Sequence, residues 1–140
     1  MNPTTARRLV FHGALLFLLG LLAGFVAPSA INPRMGLSAH LEGVMNGTFL
    51  LALGAVWSHV RLSPRAEAWS VRLILYAAYV NFASVLLGAL TGASRLMPIA
   101  GQGHTGPAWA EAIVAFGLVT ISIAMVAGVA LVLAGVARRA

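Results

Sequence analysis

Four long apolar stretches alternate with short polar breaks along the chain, running from Leu9 to Ala27, Ser38 to His59, Val71 to Leu90 and Ala108 to Val136. Each supplies the roughly 20 residues that a helix needs to cross the hydrocarbon core of a bilayer. The breaks are made of turn formers. Pro28, Asn32 and Pro33 fill the first, and Ser63, Pro64 and Arg65 the second. The third is the Gly/Pro-rich run from Met97 to Pro107. Ser38 is the expected N-cap of the second helix. Pro107 is expected in the first turn of the fourth, where its missing N–H costs nothing. The pattern predicts an all-α integral membrane protein: a four-transmembrane-helix bundle forming one membrane domain over residues 1–140. Arg7-Arg8 before the first run and Ala27-Pro28-Ser29 after it imitate a secretory signal, but the run exceeds the ~7–15 residues of a signal core and reads as a span.

Composition narrows the function classes. Of 140 residues, 60% are hydrophobic and 9% charged, against about half and a quarter in a soluble domain. Three acids and nine arginines cannot keep such a surface dispersed in water, so a lipid bilayer must cover it. The net charge of +6 comes without lysine and without a basic stripe interleaved with aromatics, so nucleic acid is not an expected partner. The absence of cysteine excludes disulfides, thiolate nucleophiles and iron–sulfur clusters. No nucleotide fingerprint, Walker loop or Ser/His/Asp set is present, and neither nicotinamide nor flavin is expected. Arg7, Arg8, Arg61, Arg65, Arg72, Arg138 and Arg139 fall on one side of the spans and Arg34 and Arg95 on the other. By the positive-inside rule both termini are expected in the cytoplasm.

Polar side chains inside a span usually face a cavity, a partner or a cofactor, because lipid cannot satisfy them. The second span carries His40, Glu42 and Asn46, the third Asn81 and Ser84, and the fourth Glu111 and Ser122. By helical rise, Asn46 and Asn81 lie at similar depths of ~12 and ~14 Å below the outer face and can meet. Glu42, Glu111 and His104 are expected to cluster above them, in one polar pocket opening outward. The plainer alternative is that the two amides only hold helices together. At about 100° per residue, His40, Gly43, Gly47 and Gly54 share one side of the second helix, while Glu42 and Asn46 point to another. A glycine strip beneath a histidine can seat a planar macrocycle, and a neutral histidine can ligate its iron. Gly43-x-x-x-Gly47, like Gly20-x-x-x-Gly24, is equally a motif for close helix packing. His12 and His59 read as interfacial residues, Trp57, Trp69 and Trp109 as interface anchors, and Tyr76 and Tyr79 as packing or lipid-facing residues.

The stretch from Asn32 to Gly47, NPRMGLSAHLEGVMNG, closely resembles the hydroxylaminobenzene mutases, bacterial membrane enzymes of nitroarene degradation. Met97-Pro98-Ile99-Ala100 and Gly103-His104-Thr105-Gly106 extend that resemblance. More distantly the chain is similar to styrene oxide isomerase, which shares a histidine six residues before an asparagine, here His40 and Asn46. That second resemblance implies a homotrimer binding haem b, with His40 as iron ligand and Asn46 and Asn81 lining the substrate site. The family's active-site tyrosine would align near Val85, so epoxide chemistry is not expected to transfer.

Together the resemblances imply an isomerase of the bacterial inner membrane. It would convert arylhydroxylamines such as hydroxylaminobenzene to 2-aminophenols, moving the hydroxyl from nitrogen to the ortho carbon without net redox change. Haem iron on His40 would act as Lewis acid, Asn46 and Asn81 would orient the substrate, and Glu42 or Glu111 would stabilise positive charge or carry the ring proton. A metal-free version, with Glu42 or Glu111 as general acid, stays open, as does a non-enzymatic membrane subunit or small transporter with a polar pocket.

Overall fold

Proline marks where the helices begin. In the computed structural model, which describes residues 3–137, α1 spans Pro3–Val26, α2 Pro33–Val56, α3 Pro64–Thr91, α4 the single turn Pro98–Gly101, and α5 Ala108–Ala137. Pro33, Pro64 and Pro98 each open a helix, where a fixed φ helps and no donor is lost. Pro107 stands one residue before α5 rather than inside its first turn, and its carbonyl accepts from the N–H groups of Ala110 and Glu111 at 2.9 and 3.1 Å. Ser38 is not a cap. It lies inside α2, where its hydroxyl returns to the Arg34 carbonyl at 3.2 Å. The cap is Asn32, whose Oδ1 accepts from the Met35 N–H at 3.0 Å, and Ser63 caps α3 through Ala66. Apolar counting marks where hydrocarbon begins, whereas a helix runs on through the headgroup layer until a cap stops it. That is why α2 and α3 start earlier than their apolar runs.

All four long helices are long and apolar enough to cross a membrane, and the described residues contain no strand. The chain is an all-α, multi-pass membrane protein. Arg138 and Arg139 lie outside the described residues. The other arginines divide between the two ends as the loops do, with Arg8, Arg61 and Arg72 around one cavity and Arg34 beside another.

The helices stand in the order α1, α2, α3, α5. α1 packs along α2 and touches α3 more lightly, α2 also meets α3, and α5 has α3 as its main partner among the long helices. The bundle is therefore open, with α1 and α5 at its edges. Half of the α3 span is buried but only 22% of the α5 span, which leaves Phe116, Ile123 and Val126 facing outward. Small residues set the closest contact. A methyl added at Gly20 would sit 2.5 Å from the Val44 nitrogen, and one at Gly47 2.5 Å from the Phe17 nitrogen. In a bilayer, backbone approach of this kind replaces the hydrophobic effect as the force between helices. Across the other seam, Ser70 donates to the Gly128 carbonyl at 3.0 Å and the hydroxyls of Tyr76 and Thr120 bond at 2.8 Å. Trp57, expected as an interface anchor, is instead 3% exposed in the core. Trp69 and Trp109 are exposed, as anchors would be.

Candidate active site

Glu42 and Asn46 are four residues apart, so one face of α2 presents both. The Asn46 amide donates to the Glu42 carbonyl at 2.9 Å and to Glu42 Oε2 at 3.1 Å. Asn81 reaches the same oxygen from α3 at 2.5 Å. Phe82 sets the level of α3 by packing against Gly43, with its ring 3.1 Å from where a methyl on that glycine would stand. One carboxylate oxygen thus accepts two amide N–H groups from two helices inside the span. A carboxylate oxygen can only attract the NH2 end of an amide, so both asparagine orientations are settled by chemistry. Their Oδ1 atoms have no partner, and no fully buried side-chain N or O among the described residues is left unpaired. Those oxygens, with Glu42 Oε1, are therefore unpaired among the described residues but not fully buried.

His40 belongs to a different flank. Its Nδ1 lies 2.8 Å from the Gly20 carbonyl on α1. A carbonyl only accepts, so Nδ1 carries a proton, and in the neutral tautomer the lone pair then lies on Nε2. A backbone bond of this kind is how a metal-binding imidazole is usually oriented. The half-buried His40 thus fits an axial haem ligand. The described residues hold no cluster of three or more His, Cys, Asp or Glu that could bind a bare ion, whereas haem brings four nitrogens of its own. The seat expected on Gly43 and Gly47 does not exist within one chain. Both glycines are buried against α1, Gly43 on Gly20 and Gly47 on Phe17, so their flat surface is spent on helix packing.

Glu111 and His104 do not join Glu42. The Glu111 carboxylate accepts from the backbone N–H groups of Ser94 and Gly106, both at 3.1 Å, and of Arg95 at 3.0 Å. It staples both ends of the α3–α5 connection to the first turn of α5. His104 is exposed on that connection, its Nδ1 donating to the Gly101 carbonyl at 2.9 Å. No hydrogen bond among the described residues joins this set to Glu42, Asn46 or Asn81. The expected single pocket is two separate polar assemblies, because Glu111 satisfies the loop's backbone rather than facing the bundle. Asn32 performs a related task. At 1% exposed, it caps α2 and donates through Nδ2 to the carbonyls of Ala100 and Gly101 at 3.2 and 3.0 Å.

One intramembrane pair escaped the sequence reading. His12 stands nine residues, ~14 Å, into α1, not at its end, with Nδ1 3.0 Å from the Tyr79 hydroxyl. The signal that could have found it is Pro3, which moves the start of α1 outward.

Two cavities flank the helices. One of about 530 Å³ lies between α2 and α4, with Arg34, Ser38, Leu41, Met97 and Ile99 in its wall. Its wall includes Ser38, one turn outward of Glu42 on α2, but none of Glu42, Asn46 and Asn81. The other, about 610 Å³, lies at the opposite end of the bundle and contains none of these residues.

The family model described as styrene oxide isomerase matches residues 5–137, almost every residue described above. The chain belongs to the styrene oxide isomerase family. It is an isomerase, and it is similar over most of its length to two curated proteins of Ectopseudomonas oleovorans. Hydroxylaminobenzene mutase HabB is 49% identical over 93% of this chain and 80% of that protein. Hydroxylaminobenzene mutase HabA is 38% identical over 90% of this chain and 94% of that protein. No solved structure matches the chain. In α3 this isomerase has at position 85 a valine that is 4% exposed and packed in an apolar cluster with Met35 and Ala39.

Proposed function

We propose that this isomerase converts arylhydroxylamines, hydroxylaminobenzene among them, to 2-aminophenols within the membrane. The observation that carries the reading is the 49% identity to HabB across 93% of the chain. Val85 supports it from the other side, since an apolar side chain offers no hydroxyl to an epoxide. The reaction is an isomerisation. The N–O bond breaks, a C–O bond forms at the ortho carbon, and the hydrogen on that carbon leaves as a proton while one proton returns to nitrogen. No electron is gained or lost.

Asn46 Oδ1 and Asn81 Oδ1 accept from the N–H and O–H of the substrate, and the bonds of both amides to Glu42 hold them in place before substrate arrives. Glu42 faces the positive charge that develops on the arene as the N–O bond lengthens. Its Oε1 takes the ortho proton as the ring regains aromaticity. The largely apolar 530 Å³ groove one turn outward along α2 gives the arene a route from lipid toward Glu42. His40 is the residue that would hold haem b, whose iron supplies Lewis acidity. His40 leans on α1 and Asn46 on α3, and six residues turn a helix by about 240°. We expect bound haem and the amide pair to meet across a contact with a second copy, in a homotrimer of the bacterial inner membrane with both termini cytoplasmic.

The test is conversion of hydroxylaminobenzene by membranes containing the protein. Formation of 2-aminophenol, slowed by about 10²-fold or more in Glu42→Gln, is the expected result. Absence of product from folded wild-type protein overturns the reading. An absorption spectrum of purified protein beside His40→Ala checks the haem separately: a Soret band lost in the variant supports ligation, while active wild type with no such band moves the chemistry to Glu42 alone.

A further inference from the structure

The arginine-rich end of the molecule carries a second cavity that the isomerase reaction does not use. It measures about 610 Å³ and lies between the start of α1, the turn after α2 and the start of α3. Arg8, Arg61 and Arg72 enter its wall from three separate stretches, and Glu67 is the one acid in that wall. Glu67 is already engaged, its carboxylate accepting from the Thr5 hydroxyl at 2.5 Å. Among the described residues, none of the three guanidinium groups is paired with a carboxylate.

The wall is built rather than loose. The Arg61 N–H donates to the Gly135 carbonyl at 3.0 Å, which ties the loop to α5. Trp57 is buried behind it, and Val60 and Leu62 add apolar surface. The Arg72 guanidinium also lies 5.9 Å from the centre of the exposed Trp69 ring. The positive-inside rule accounts for arginines at this end of the spans, but not for three segments turning them into one concavity. Arg8, Arg61 and Arg72 are exposed, and like charges gathered in one hollow repel unless an anion neutralises them. Arginine forks fit the oxygens of phosphate in pairs.

We propose that this cavity binds the phosphate of an anionic phospholipid headgroup. Inorganic phosphate offers the same oxygens. The lipid is favoured by the apolar part of the wall and by the depth, since Arg72 is eight residues, or ~12 Å, into α3. A long arginine there reaches the headgroup layer. The lipid glycerol and upper acyl chains lie along Val60 and Leu62.

The experiment uses the full-length protein in detergent, titrated with phosphatidylglycerol, phosphatidylcholine or inorganic phosphate. Thermal unfolding and lipid retained in native mass spectra are the readouts. Phosphatidylglycerol raises the unfolding temperature and stays bound, while the other two leave it unchanged. Arg61→Gln and Arg72→Gln each weaken phosphatidylglycerol binding about fivefold, the effect of one cation near a lipid surface. Arg95→Gln, at the other end, leaves binding unchanged. Equal shifts from phosphatidylcholine, the same shift from inorganic phosphate, or undiminished lipid binding in the double variant would each overturn the proposal. If the double variant does not fold, the comparison of lipids on wild-type protein still decides.

Discussion

Two glutamates of the spans look alike in the sequence and do opposite work. Glu42 gathers the amides of Asn46 and Asn81, whereas Glu111 gathers three backbone N–H groups. Glu42→Gln keeps the shape, and its remaining carbonyl oxygen can still accept from the two amides. What it removes is the base, so kcat/KM for hydroxylaminobenzene should fall by about 10²-fold or more with little loss of thermal stability. Glu111→Ala strands its three donors. It should cost at least about 3 kcal/mol of stability, read as a lower unfolding temperature in detergent, while the folded fraction keeps wild-type activity. Equal losses of activity per folded molecule would put both carboxylates back in one site. Spacing along α2 was enough to pair Glu42 with Asn46. Glu111 was misjudged because a carboxylate's partners here are backbone groups, and backbone N–H groups have no letter in the sequence.

At the scale of helices, the glycines of α1 and α2 decide how close the two can come. A side chain at Gly20 or Gly47 meets backbone of the facing helix, which cannot swing aside. Gly20→Val and Gly47→Val should therefore separate α1 from α2 and destabilise the protein by about 3 kcal/mol or more, measured by thermal unfolding in detergent. Gly103→Ala is the contrast in steric terms, because nothing lies within 4 Å of a methyl there. Its φ of +82° still costs about 1 kcal/mol. Asn32→Ala removes the cap of α2 together with two bonds to the α4 carbonyls. The expected loss is about 2 kcal/mol, with α4 released from α2 and more open to protease.

At the scale of the whole molecule, the row α1, α2, α3, α5 places His40 on one flank of α2 and Asn46 on the other. If haem on His40 serves the amides of a neighbouring copy, two inactive variants should complement each other. Coexpressed His40→Ala and Asn46→Ala chains would leave roughly one site in four with both residues intact, and activity should return to about that fraction. No recovery from mixed, folded oligomers would mean that each chain works alone. The open edge of α5, with Phe116, Ile123 and Val126 outward, is left to lipid or to another copy.

By itself the sequence determined the class of protein, the four spans and the pairing of Glu42 with Asn46. Lipid demands long apolar runs, and a helix brings residues four apart onto one face, so these features are local or compositional. Only the tertiary structure decided which partners the polar groups take. Asn81 could have met any span, yet Phe82 against Gly43 brings it to Glu42. Gly43 and Gly47 could have seated a macrocycle, yet α1 covers them, and His12 meets Tyr79 across α1 and α3. Partner choice depends on which helix faces which. That is set by the summed packing of all the helices, which no single stretch of residues encodes.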